Sequence, residues 1–317
     1  GDLTQISGVV SDNGNTISLY GNLMYDGSFE GTGGIDFVRS DARQTIGGSG
    51  YGKIGTIVIS NSNEVWLNTD LRISNNLILG SSLYINRSRV ILEENANVVT
   101  KDGGDFDNTH MIRLNGEHED HGVTKIVGTG ASNFVIPIGI SGHYTPATYN
   151  FASNVNVGAS ISVKTINSLH KNLSVKPSKW LNYYWVVKTE GFGDDTRSIS
   201  ERTANFSVQQ TYTFTDGKVE SEGENPGTLL PEYMYYGGET EYEWVDLTQT
   251  ARVEDNNIVF DAFGHIAGDY TAGVVNAIQI YTGLPVLYTR KTEGRWENNE
   301  GVGNESWEYK DENGVWQ

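Results

Sequence analysis

Residues 57–94 read IVISNSNEVWLNTDLRISNNLILGSSLYINRSRVILEE, six apolar triplets separated by short runs of Asn, Ser, Gly, Asp, Thr, Glu or Arg. The triplets are Ile57-Val58-Ile59, Val65-Trp66-Leu67, Leu71-Arg72-Ile73, Leu77-Ile78-Leu79, Leu83-Tyr84-Ile85 and Val90-Ile91-Leu92. In a strand, successive side chains point to opposite faces, so the outer two members of a triplet share a face and the middle one takes the other. The outer members are aliphatic every time, whereas the middles include Trp66, Arg72 and Tyr84, so the outer members face inward. Matching first, second and third triplets gives Ile57 with Leu77, Val65 with Leu83 and Leu71 with Val90, offsets of 20, 18 and 19 residues. Strands this short cannot form hairpins with cores of their own. The offset is one coil of a three-sided solenoid that stacks turn on turn over a column of aliphatic side chains. TISLYGNLMYDGSFEG and GIDFV before this stretch, and ANVVT after it, carry the same beat. The expectation is a short right-handed parallel β-helix over residues 1–131.

Composition agrees with an all-β chain. Thirty-eight Gly and 17 Tyr against 3 Met favour turns and strands, and no stretch sustains helical periodicity with caps beyond three turns. Without Cys, no disulfide supports the fold. A net charge of -18 argues against nucleic acid or an anionic membrane as partner, because both are bound by basic patches, and favours cations. No run of 18 apolar residues argues for membrane insertion, and no basic segment precedes an apolar one at Gly1, so the chain reads as a mature form or an excised fragment.

Beyond residue 131 the strands lengthen and alternate: SISVKTI, LNYYWVVKT, NFSVQQTYTF, EYMYYGG, EYEWVDLT, NNIVFDAF and GDYTAG follow one another across turn-rich gaps. Tyr183, Trp185 and Val187 occupy alternate positions in one of them. This pattern predicts an immunoglobulin-like antiparallel β-sandwich over 132–275.

FVIPIG, then HYTPATYNF, YYWVVKTEGF, YMYYGGETEYEWVDL and FGHIAGDYTAG, together resemble a module of large, repeat-built, adhesin-like bacterial surface proteins exported by the type IX secretion route. In that module a Pro-Ile/Val-Gly turn opens the domain, a Tyr-Trp strand lies mid-core and a Gly-Asp-aromatic strand closes it, commonly after a solenoid. The resemblance implies an extracellular, cell-surface location, neighbouring repeat units or other surface proteins as partners, and no catalytic residues. YTRKTEGRWENNEGVGNESWEYKDENGVWQ, with Trp296 and Trp307, resembles the opening of a further unit, so 276–317 reads as a linker and the start of a following repeat.

Catalytic signatures are missing: there is no Gly-x-Ser-x-Gly, no His-Glu-x-x-His, no P-loop and no Cys. The chain is therefore read as a non-enzyme, with a β-helix polysaccharide lyase or hydrolase as the enzymatic alternative. HEDH at 118–121 reads as a solvated turn rather than a metal site, and GGSGYG at 47–52 as a turn between coils, since no helix start follows it. Asp102, Asp105 and Asp107 in KDGGDFDN supply the oxygen donors that Ca²⁺ takes, but without the ligand order of an EF-hand, and a plain acidic turn is the competing reading. Trp66 and Tyr84 hold the outward middle positions of triplets one coil apart, so their rings should meet on one external face. Such a pair offers a platform for a polysaccharide, or else is a ladder that stabilises the coils. Val58 and Ile78 form a similar apolar strip on another side, which calls for cover.

Overall fold

The computed structural model describes residues 1–49, 51–130, 132–152, 158–171, 178–192, 208–222, 228–236, 242–245, 251–261 and 266–274. The architecture is all-β, and among these residues the one helical element is a single 3-10 turn at Asp216–Lys218. Residues 1–278 form one compact unit. The segments read from sequence as a following repeat, Trp296 and Trp307 included, lie outside the described residues.

The first part is a β-solenoid of about five turns. Its first side stacks Leu3–Gln5, Leu23–Tyr25, Gln44–Gly48, Val65–Leu67, Leu83–Ile85, Ile112–Leu114 and Ile138–Ile140, all in parallel. The three pairings read from the triplets are present: Ile57 faces Leu77, Val65 faces Leu83 and Leu71 faces Val90. Ile59, Leu67, Ile73, Leu79, Ile85 and Leu92 are all buried, while Arg72 and Tyr84 remain partly exposed. Alternation inside each triplet thus decides which side chains leave water, and stacking converts those side chains into one aliphatic column.

The corners differ from the sequence reading in one respect. Leu71-Arg72-Ile73 and Leu77-Ile78-Leu79 belong to a single strand, Leu71–Leu79, that spans two sides of the solenoid. A register irregularity between Ile73 and Asn76 bends it at the corner, as a bulge does. Asn75 holds the bend by donating to the carbonyl of Gly31, two coils down, at 2.9 Å. Between coils the turns close tightly. A Cβ on Gly52 would lie 1.6 Å from the carbonyl oxygen of Gly27, so the last glycine of GGSGYG is required by close approach of the backbone. Inside another corner, fully buried Gln44 donates to the carbonyls of Leu19 and Gly21, and its own carbonyl accepts from Asn61, also fully buried. Polar side chains here replace the hydrogen bonds that the turning backbone gives up.

At the end of the stack the sheet continues and reverses direction. Gly122–Ile126 pairs in parallel with Arg89–Leu92 on one edge and antiparallel with Ser160–Ile166 on the other. Tyr184–Glu190 and Gly268–Gly273 extend the same sheet. Lys125 sits at this changeover, 6 % exposed, donating to the carbonyls of Glu93, Glu94 and Ala96 at 2.7, 2.8 and 2.8 Å. Burial pushes its ammonium down to about 8, against the opposing pull of Glu94 and Glu93.

A second, five-stranded antiparallel sheet runs Ser132–Ile136, Ala147–Phe151, Val208–Thr213, Asn257–Phe260, Ala251–Glu254. The two sheets meet across an aromatic core: Trp185 and Tyr270 from the first lie 5.3 and 4.5 Å, ring to ring, from Tyr212 of the second, and Phe260 stands 5.1 Å from Tyr270. Tyr183, Trp185 and Val187 are buried together, and Tyr184, on the opposite face of the strand, is buried too. The chain interleaves the two parts. It enters the second sheet at Ser132–Ile136 and then returns to the solenoid, where Ile138–Ile140 pairs with Ile112–Leu114.

Candidate functional site

The outward positions of the solenoid's first side carry the clearest constellation of functional side chains. Register places Thr45 against Trp66, Trp66 against Tyr84, and Tyr84 against Arg113. The Trp66 and Tyr84 ring centroids are 4.2 Å apart with the planes tilted by 50°. The guanidinium of Arg43, just before Thr45, lies 3.6 Å from the Trp66 ring centre, and that of Arg113 lies 4.7 Å from the Tyr84 ring centre. The strand order makes this a run of cation, indole, phenol and cation along the stack, in which each guanidinium meets the negative face of a ring.

Glu64 ties the run together. Its carboxylate accepts from Trp66 Nε1 at 2.7 Å and from Arg113 Nη2 at 2.6 Å, and Arg43 approaches to 3.8 Å. Burial pushes the Glu64 carboxyl up, but the hydrogen bonds from Trp66 and Arg113 and the charges of Arg113 and Arg43 outweigh it and hold the group below its ordinary value. The Tyr84 hydroxyl donates to Asn115. The two aromatic residues named from sequence are therefore together, with guanidinium groups over both rings. Arg43 and Glu64 sit 21 residues apart, one coil, so extending the repeat offset from strands to turn residues would have found them. Arg113 follows Tyr84 by 29 residues, because the acidic loop intervenes, and no offset reveals it.

In that loop the Asp102 carboxylate accepts from the Gly104 N–H at 3.1 Å. Asp107 accepts from the Thr109 hydroxyl and N–H, both at 2.7 Å, and from the His110 N–H at 2.9 Å. Led by the Thr109 hydroxyl, these bonds lower the Asp107 carboxyl to about 2. Both carboxylates thus cap turns, and among the described residues no group of three or more His, Cys, Asp or Glu side chains is placed to hold a metal ion.

HEDH forms the corner after Ile112–Leu114. Asp120 is buried and accepts from the N–H groups of Gly116 and Glu117 at 2.7 and 3.1 Å, while Lys164 donates to the carbonyls of His118 and Asp120. His118 and His121 line a cavity of about 420 Å³ with Arg89, Lys164 and Lys188. Of the apolar strip on the third side, Val58 is buried, Ile78 half-buried and Val99 exposed. Among the described residues no helix is long and apolar enough to cross a membrane. No protein family model, no curated protein and no solved structure matches the chain.

Proposed function

We propose that this chain is a structural and adhesive module of a large extracellular bacterial surface protein, a stiff spacer that also offers an interaction surface. The observation that carries the reading is continuity. One hydrogen-bonded sheet runs from the solenoid coils through Gly122–Ile126 into the antiparallel strands, without a linker between them. Each coil lengthens the stack by about 4.8 Å, and the antiparallel strands cover a parallel edge that would otherwise be open to pairing with other chains. The module is read as a right-handed β-helix followed by an immunoglobulin-like sandwich, an arrangement that also carries the resemblance to surface proteins of the type IX secretion route. A surface of net charge -18 keeps neighbouring modules apart until divalent cations such as Ca²⁺ bridge them.

A carbohydrate-binding role at Trp66 and Tyr84 is the second reading, favoured by their partial exposure on one external face. The guanidinium groups over both rings leave a sugar the ring edges and polar rim, which weighs toward the spacer reading. The test is excision of residues 1–278 from the parent protein, with cell attachment and matrix retention measured with and without Ca²⁺. The spacer reading expects loss on excision and partial rescue by an unrelated rod of equal length. Retained attachment, or a parent protein shielded from protease added to whole cells, would defeat it.

A further inference from the structure

The corners between the first and second sides of the solenoid stack as well as the strands do, and at three of them they leave a cleft of about 570 Å³. Asn68, Thr69 and Ser88 supply neutral polar groups to its lining, and Arg72, Arg87 and Arg89 bring three guanidinium groups against the one carboxylate of Asp70. Tyr51 stands at the lip, 90 % exposed. Arg89 also lines the 420 Å³ cavity that leads on to Lys164 and Lys188, so the two hollows share a wall. Between Arg89 and the strand of Lys164 the floor is bare. Gly122 faces Arg89 across the ladder at φ +80°, and a Cβ there would come within 2.2 Å of the Val163 carbonyl oxygen.

The charges in this region are unevenly satisfied. Arg72 pairs with Glu93 at 2.5 Å and Arg87 with Glu117 at 3.7 Å. Asp70 accepts from the Arg89 backbone N–H at 2.9 Å, and Asp120 is taken up by Gly116 and Glu117; Glu119 and Glu190 stand in the second cavity. The Arg89 Nε is buried and has no hydrogen-bond partner. A buried donor of a charged group left unpaired costs free energy, and the charge of an anion in the cleft offsets part of that cost.

We propose that this cleft binds an acidic polysaccharide, with the carboxylate or sulfate groups of successive sugars held by Arg72, Arg87 and Arg89 and the sugar hydroxyls by Asn68, Thr69 and Ser88. The inference goes beyond the spacer reading and does not rest on it. The dimensions suit a chain rather than a single sugar. Arg72, Ile91, Thr124, Ser162 and Lys188 are successive cross-strand neighbours on the outward face, so the row spans roughly 19 Å at the usual strand spacing. Its middle is uncharged, with Thr124 and Ser162 paired hydroxyl to hydroxyl at 2.7 Å. Nucleic acid is the weaker fit. Among the cleft's lining residues only Tyr51 offers an aromatic ring on which bases could stack, whereas Asn68, Thr69 and Ser88 offer the neutral polar groups that sugar hydroxyls pair with.

The experiment titrates the purified chain by calorimetry with oligogalacturonate for carboxylates, chondroitin sulfate for sulfates, neutral dextran, and a single-stranded oligonucleotide as a non-sugar polyanion. At least one of the two acidic polysaccharides is expected to bind, more weakly at high salt, and dextran is not. Arg89→Gln is expected to weaken binding about tenfold, the worth of one charge-assisted hydrogen bond. Arg87→Gln, at a more exposed side chain, is expected to weaken it less and guards against misfolding of the first variant. Arg252→Gln, on the second sheet, is expected to leave it unchanged. The proposal is overturned if neither acidic polysaccharide binds, if the oligonucleotide binds as tightly, if both arginine variants bind like the wild type, or if Trp66→Ala abolishes binding while they do not.

Discussion

The solenoid and the antiparallel sheets solve the same burial problem with different materials. From Ile46 onward the solenoid core is almost wholly Ile, Leu and Val, with Tyr25, Phe29 and Phe37 filling the earlier coils, and its side chains stack on residues about one coil away in sequence. The core between the antiparallel sheets is aromatic and joins distant segments, as in Tyr149 with Tyr212 and Tyr212 with Tyr270. Aliphatic side chains suit a narrow stack because identical shapes repeat from coil to coil. Wide rings instead bridge two sheets that have no repeat, and their polar tips need partners: Trp185 Nε1 donates to the Thr145 carbonyl at 2.9 Å, and the Tyr212 hydroxyl to Gln210 at 2.9 Å. The solenoid should therefore tolerate local change by repacking within a coil, whereas the aromatic core should fail as a unit.

The largest expected effect follows from that contrast. Trp185→Ala removes the ring between two sheets and strands the Thr145 carbonyl, for about 3–5 kcal/mol by chemical denaturation. Amide exchange should then rise first in Val208–Thr213 and Asn257–Phe260, with Ile57–Ile59 and Leu77–Leu79 still protected. Uniform loss of protection would break the comparison and make the whole unit one cooperative block.

Lys125→Met tests the changeover between the two regions. It removes the ammonium shared by three carbonyls, of which only that of Glu93 keeps a second donor, the Ala96 N–H, and should cost about 3 kcal/mol. The variant also tests a pH effect. With its ammonium lowered to about 8 in the folded state and 10.5 when unfolded, Lys125 holds fewer protons folded than unfolded between those values. Stability attributable to it therefore rises with pH from about 8 to 10.5. The difference between wild-type and Lys125→Met unfolding curves should show that rise, and a flat or falling difference would mean that the three carbonyls hold the ammonium charged.

Asn61→Ala probes the solenoid itself. It removes the amide shared with Gln44 and the Ala42 carbonyl inside a corner, at about 1–3 kcal/mol, measured by thermal melting. A loss as large as that of Trp185→Ala would show that solenoid corners, rather than its aliphatic column, carry the cooperativity.

Smaller still, Glu64→Gln should cost about 1 kcal/mol or less, since the ladder on the first side is half-exposed and screened by salt. The smallest expected effect is the replacement of Asp102, Asp105 and Asp107 together by Asn. Melting should change by about 0.5 kcal/mol or less, equally with Ca²⁺ and with chelator. A Ca²⁺-dependent shift in the wild type that the variant loses would place an ion in this loop.

Sequence by itself determined the solenoid. Inward-facing aliphatics in Val65-Trp66-Leu67 or Leu83-Tyr84-Ile85 follow from alternation over three residues, and the pairing of Val65 with Leu83 follows from an offset short enough to repeat before any loop intervenes. It also determined that Trp66 and Tyr84 meet, because both lie inside that regular stretch. Tertiary structure alone decided what Arg113 does, since a 29-residue excursion separates it from Tyr84. It alone turned two triplets into one bent strand at Ile73–Asn76, sent Ile138–Ile140 back onto the solenoid, and set Lys125 under the turn at Glu93–Ala96. The cleft around Arg89 belongs to the same class. It depends on which turns stack and on where Gly122 leaves the sheet bare, and no local pattern of residues encodes either, because both arise only when coils from different parts of the chain are in register.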